Sequence, residues 1–171
     1  MTTEDNVILV DERDNQIGEM EKLEAHQKGL LHRAFSIFVF NVKGELMLQQ
    51  RAYGKYHSGG LWTNACCSHP RPGEEISPAA HRRLQEEMGF DCALNEIYTF
   101  VYNAALDNDL IEHEFDHVLI GTFDNVPKLN PEEAENWKWI APTELRKNMA
   151  THPEHYTYWL LKCFDNVMRR V

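Results

Sequence analysis

Between residues 62 and 89 the chain is more tightly constrained than anywhere else. Trp62-Thr63-Asn64-Ala65-Cys66-Cys67-Ser68-His69-Pro70 runs on into a segment, 77–88, that local chemistry marks as a helix. Ser77 carries the side chain of an N-cap, Pro78 supplies a pre-set φ at the first helical position, and Gly89 ends the run. Ala80, Leu84 and Met88 recur at i, i+4, so this helix must lay one stripe against a core. At 100° per residue Glu87 falls about 60° from Leu84, on the shoulder of that stripe, with Arg83 one turn earlier and Glu86 turned to solvent. An Arg83–Glu87 pair on an exposed face would contribute only about 0.3–0.5 kcal/mol.

A chain of 171 residues has room for one domain with a real core. Its mixture of short strands and few helices predicts an α+β fold, a central sheet flanked by helices, as a single domain over 1–171. Strands are expected at 7–10, 97–103, 114–123 and 137–140. A hairpin joins 34–41 to 46–50 across Lys43-Gly44, and Gln16-Ile17-Gly18 closes a turn. Short helices are expected over 21–27, ending at Gly29, and from Pro142; a longer one covers about 153–170. Residues 53–62 read as a Gly-rich loop, and Asp107-Asn108-Asp109 as a turn.

The net charge of −10 argues against a nucleic-acid or anionic-membrane partner. A small anionic ligand would instead need local cations, for which Lys22, Arg51, Lys55 and Arg83 are candidates, or a divalent metal. No apolar run reaches the length of a membrane span, and residues 1–11 lack the basic start and apolar stretch of a signal peptide. The four cysteines show no framework spacing, so a reducing, cytoplasmic setting is expected. Nothing in the sequence names a protein partner.

Adjacent Cys66 and Cys67 cannot form an unstrained disulfide and lack the C-x2-C spacing of a zinc site, which leaves one thiol free for chemistry. Composition does not separate the two; Cys92 and Cys163 read as small hydrophobes. Glu112 and Glu114 lie two apart on a strand, so their carboxylates share a face about 6.5–7 Å apart along the chain and require a cation or a proton. His26 and His32 flank the Gly29 turn, and His69 follows the cysteines. Trp159 belongs to the row Tyr156, Trp159, Leu160, Cys163, Phe164, Val167, a core stripe.

Glu74, Arg82, Leu84, Glu86, Glu87, Gly89 and Phe90 have the spacing of the Nudix box, whose helix holds divalent cations against a diphosphate. Ser68 stands where that box has its first Gly, and Arg83 where it has the Glu after Arg. A cation there suggests holding the phosphate rather than cutting it. Joined to the 62–70 segment, the altered box resembles the type I isopentenyl-diphosphate isomerase family. The likeness runs in order through Glu21-Lys22, His26, His32, Arg51, Lys55, Tyr102, Glu112-His113-Glu114 and Trp159.

The resemblance implies a Nudix-like fold and the interconversion of isopentenyl and dimethylallyl diphosphates. It implies Cys67 and Glu114 as acid and base on opposite faces of the allyl plane, with Tyr102 assisting Glu114. His26, His32, His69, Glu112 and Glu114 would bind a transition metal, Mn²⁺ or Zn²⁺. Glu87 and the Cys67 backbone would hold Mg²⁺, with Lys22, Arg51, Lys55, Ser68 and Arg83 around the diphosphate and Trp159 facing the carbon skeleton. The rival readings are a Nudix hydrolase, which would not require the Cys67 loop, and a non-catalytic metal- or nucleotide-binding module, which would tolerate its loss.

Overall fold

In a computed structural model, which describes residues 5–171, the apolar run at 34–41 becomes the axis of the molecule. Strand β3 (His32–Phe40) is buried on both faces, which is why its sequence is continuously apolar instead of alternating. Phe35, Ile37 and Val39 face helix α2 (Ile76–Met88) and pack with its Ala79, Ala80, Leu84 and Met88. Phe38 points the other way, into a cluster with Leu145 and Met149 of α3 (Pro142–Thr151) and Leu160, Phe164 and Val167 of α4 (Tyr158–Met168). Each fully buried Leu, Ile, Val, Phe or Met among them stabilises the fold by about 1.5–3 kcal/mol relative to exposure. The two clusters share β3, so the described residues form one α+β domain with helices on both faces of the sheet.

Nine strands make that sheet among the described residues. A hairpin of β1 (Asn6–Val10) and β2 (Gln16–Glu21) meets β3 at Leu9↔His32. After β2 comes the short helix α1 (Lys22–Lys28), capped by the Glu21 side chain and ended by Gly29 at φ 65°. Strand β4 (Leu46–Arg51) meets the end of β3, β5 (Trp62–Asn64) pairs with β4, and β6 (Cys66–Ser68) pairs with the middle of β3. The long pair β7 (Leu94–Ala105) and β8 (Ile111–Thr122) is antiparallel, and β8 runs parallel to β3 from His32↔Glu114 to Phe40↔Thr122. Strand β9 (Ala134–Ile140) pairs with β4. No helix among the described residues is long and apolar enough to cross a membrane.

Several local expectations are corrected. Residues 16–18 open β2 rather than closing a turn; the turn precedes them, where Asp11 Oδ1 accepts from the Arg13 and Asn15 amides. The β3–β4 turn forms, yet the two strands pair only at Phe40↔Leu46, because each has stronger partners elsewhere. Helix α2 starts at Ile76 with Glu75 as its N-cap, placing Ser77 and Pro78 inside the first turn, where the missing Pro N–H costs nothing. The expected helix over 153–170 is broken. A single 3-10 turn at Pro153–His155 is followed by Tyr156 bridging to Trp62 and by the Thr157 amide donating to the Trp62 carbonyl at 3.0 Å. Strands β5 and β6, three residues each, are too short to show alternation in sequence.

Candidate active site

Register decides which side chains meet. Directly opposed residues of an antiparallel pair share a face, and β6 pairs with β3 as Ser36↔Cys67 and Ile37↔Cys66. Cys66 therefore joins Ile37 in the α2 core, while Cys67 lies on the opposite face beside Trp159. The same face of β8 carries Glu112, Glu114 and Asp116, aligned with Ala104, Tyr102 and Phe100 of β7 and, through Glu114 and Asp116, with His32 and Ala34 of β3. The floor of the site is thus three strands wide. Helix α1 brings His26 to it, the loop after β6 brings His69, and α4 covers it with Trp159.

His26, His32, His69, Glu112 and Glu114 each offer one ligand atom, all within 4.8 Å of one another. The imidazoles are oriented for this. His26 Nδ1 lies 2.6 Å from the Lys22 carbonyl and His32 Nδ1 2.8 Å from that of Leu30. A carbonyl only accepts, so both rings carry a proton at Nδ1, which turns Nε2 inward, where its lone pair can meet a cation in place of a second proton. His26 Nε2 then meets Glu112 Oε1 at 2.7 Å, and His69 Nε2 meets Glu114 Oε1 at 2.8 Å. Converging lone pairs and carboxylate oxygens in a buried space demand a cation, and imidazole with carboxylate suits a borderline transition metal.

Protons alone satisfy the cluster unevenly. Burial lowers the His32 pKa, but hydrogen bonds and charge from Glu112 and Glu114 outweigh it and lift the group to about 10. Burial instead drives His69 down to about 4, with the Glu114 contact only partly opposing it. Burial also opposes ionisation of Glu112, yet hydrogen bonds from His26, His32 and His57 hold it well below the usual carboxylate range.

Beside this cluster lies a cavity of about 450 Å³, counting the space open at its mouth, lined among others by Cys67, Tyr102, Glu114, Trp159, Tyr56 and His57. Tyr102 donates to Glu114 Oε2 at 2.6 Å. Cys67 Sγ donates to Asn64 Oδ1 at 3.1 Å and accepts from the Trp159 indole N–H at 3.0 Å. Burial, then the Asp116 charge, pushes the Cys67 thiol up to about 12, so it is protonated at neutral pH. Asp116 is fully buried, bonded to Ser36 Oγ at 2.7 Å, and raised well above its usual range by burial and by Glu114.

The cavity opens into a polar basin lined by Lys22, Lys55, Ser68, Arg71, Arg82 and Arg83. Arg83 donates to Ser68 Oγ at 2.9 Å, to Glu87 Oε1 at 2.6 Å and to Glu133 Oε1 at 3.1 Å. Glu87 is 4% exposed and takes a second bond from Gln49, so its pair with Arg83 is a buried one, not a surface pair. Burial and the positive charge of Lys55 and Arg83 lower the Lys22 pKa. Arg51 lies 5.4 Å over the Trp159 ring, and its buried Nε has no hydrogen-bond partner. In a protein of net charge −10, Lys22, Arg51, Lys55 and Arg83 are gathered around one cavity, with Lys55 and Arg83 held in place by Glu133 and Glu87.

Most of the residues singled out in the sequence line this one cavity; His26 and His32 lie at its floor, in the cluster of candidate metal ligands. Sequence reasoning missed Tyr56, His57, Asp116 and Glu133. Extending the Glu112, Glu114 alternation by one step would have reached Asp116. Glu133 carried no local signal, since the chain returns to the basin only through β9.

A NUDIX domain matches residues 30–160. The chain is 58% identical to Isopentenyl-diphosphate Delta-isomerase 2 of Aromatoleum aromaticum over 165 residues, spanning 96% of this chain and 87% of that protein. It is 54% identical to Isopentenyl-diphosphate Delta-isomerase 2 of Photorhabdus laumondii, over 94% of this chain and 91% of that one. Among solved structures, a Deinococcus radiodurans protein superposes with a TM-score of 0.79 at 19% identity, covering 94% of this chain and 98% of its own. A MutT protein of Methanosarcina mazei gives 0.67 at 18%, covering 81% and 94%. At those identities the structural likeness speaks for the fold alone.

Proposed function

We propose a mechanism from one premise: the chain belongs to the isopentenyl-diphosphate Delta-isomerase family of NUDIX-domain enzymes. It is an isomerase that shifts a carbon–carbon double bond between isopentenyl and dimethylallyl diphosphates. The observation that carries the residue assignment is a single cavity with Cys67 and the Tyr102–Glu114 pair at one end and a cluster of cations at the other.

An unactivated alkene is a very poor base, and protonating it makes a tertiary cation. The site must therefore supply an acid, a base and a surface that tolerates positive charge while excluding water. Cys67 and Glu114 fill the first two roles and exchange them between the forward and reverse directions. Tyr102 holds one Glu114 oxygen in place. Trp159 presents its π face to the cationic carbon, a contact worth about 2 kcal/mol when desolvated. Lys22, Arg51, Lys55, Ser68 and Arg83 grip the diphosphate, so that binding at the charged end orients the unreactive hydrocarbon end.

A divalent metal fits the donors present. His26, His32, His69, Glu112 and Glu114 would hold Mn²⁺ or Zn²⁺, and Glu87 with the Cys67 backbone would hold Mg²⁺. Such ions supply fixed positive charge beside Glu114 and beside the phosphates. All four cysteines are free thiols, which supports a reducing, cytoplasmic setting.

The test is incubation with isopentenyl diphosphate and Mg²⁺ in heavy water. Dimethylallyl diphosphate carrying carbon-bound deuterium is expected, because the added proton comes from solvent-exchanging groups, with diphosphate release at background. Cleavage of the diphosphate without carbon-bound deuterium would restore the hydrolase reading.

A further inference from the structure

Residues 56–58 belong to no regular element, yet each is anchored by a different side chain from outside the segment. The Tyr56 carbonyl accepts from Asn108 Nδ2 at 3.1 Å, and the His57 carbonyl from the Arg51 guanidinium at 3.1 Å. The Ser58 amide donates to Asp107 Oδ1 at 2.9 Å. Ser58 is held at φ 52°, a left-handed conformation that a non-glycine residue keeps only when its surroundings over-determine it.

What this clamp presents to the site is His57, 3% exposed. Its Nε2 lies 3.2 Å from Glu112 Oε2, and its Nδ1 3.0 Å from Ser58 Oγ. A carboxylate oxygen only accepts, so Nε2 donates to Glu112, while Nδ1 and the Ser58 hydroxyl share the second hydrogen bond. The other Glu112 oxygen, Oε1, faces His26 Nε2 at 2.7 Å and His32 Nε2 at 3.7 Å. One carboxylate therefore has one oxygen turned to the metal donors and the other tied to an imidazole outside that set of five.

The geometry points to His57 as a positioning residue of the metal centre: it holds Oε2 of Glu112 so that Oε1 stays aimed at the cation, and the 107–108 turn holds His57. The inference rests on the three-histidine, two-glutamate reading given above. Outer partners of this kind fix the orientation of a ligand, and their removal costs on the order of 10–100-fold in metal affinity.

Zn²⁺ affinity of the full chain, read by competition with a chromophoric chelator, tests this in wild type, His57→Leu, His57→Asn, His57→Gln and His69→Ala. The Gln amide nitrogen reaches the place of Nε2; the Asn amide reaches only that of Nδ1. His57→Leu and His57→Asn should bind more weakly by on the order of 10–100-fold. His57→Gln should stay close to wild type, both in Zn²⁺ affinity and in the melting temperature of the metal-free protein. Wild-type affinity in His57→Leu overturns the proposal, as does a His57→Gln as weak as His57→Leu. If His57→Leu does not fold, the Gln–Asn comparison decides, and no difference between them overturns the role. His69→Ala reports on the underlying centre: undiminished Zn²⁺ binding there refutes the five-donor site, and the His57 role falls with it.

Discussion

Cys66 and Cys67 are chemically identical neighbours with opposite surroundings, and one step along a pleated strand is the whole cause. Cys66 is fully buried among Ile37, Leu84 and other apolar side chains, whereas Cys67 lines the cavity between Asn64 and Trp159. Cys67→Ala should lower turnover by on the order of 10²–10⁴-fold, the range expected when an acid–base group is lost, with stability little changed. Cys66→Ala should do the reverse, costing about 1 kcal/mol through a small cavity and retaining most turnover. Urea melts paired with rate measurements check this. Similar loss of turnover in both folded variants would sink the assignment of Cys67.

Helix α2 serves two masters on one cylinder. Its Ala80, Leu84, Met88 row is fully buried in the core, and the shoulder of that row brings Arg83 and Glu87 to the wall of the cavity. Gly89, at φ 70°, lets the chain turn away immediately afterwards. Glu87 is bonded to both Arg83 and Gln49, so its loss should cost more stability than an exposed pair, about 1–3 kcal/mol. If Glu87 also holds Mg²⁺, Glu87→Gln should raise the Mg²⁺ concentration needed for half-maximal turnover. A variant that is less stable yet has an unchanged Mg²⁺ dependence would confine Glu87 to a structural role.

Across the whole molecule an excess of negative charge coexists with a basin of cations, and Glu133 binds the two together. It pairs with Lys55 and with Arg83. Burial would raise its pKa, but the Arg83 and Lys55 charges and hydrogen bonds overcome that and hold it at about 2, against an ordinary 4.5. A carboxyl depressed in the folded state stabilises fully above its unfolded pKa, and the contribution disappears as pH falls through the folded value. Wild type should therefore exceed Glu133→Gln by roughly 1–2 kcal/mol at pH 7, after allowing for solvent screening. The gap should begin to close below about pH 4.5 and vanish near pH 2. Urea denaturation of both proteins at a series of pH values reads it directly; a gap independent of pH would show that the carboxylate charge is not its source.

Features whose causes are local were legible from residue types alone. The α2 stripe, the Gly29 and Gly89 helix ends, the apolar β3 run and the shared face of Glu112 and Glu114 all follow from backbone periodicity or from one residue's φ preference. The resemblance to the isomerase family suggested roles for Cys67, His26, His32 and His69, which spacing left open. Features that depend on which strands pair were not legible. The opposite surroundings of Cys66 and Cys67, the break at 156–157 and the meeting of His57 with Glu112 are set by contacts between segments far apart in the chain. Such contacts form because strand pairing and core burial favour them jointly, and no short window of residues carries that information.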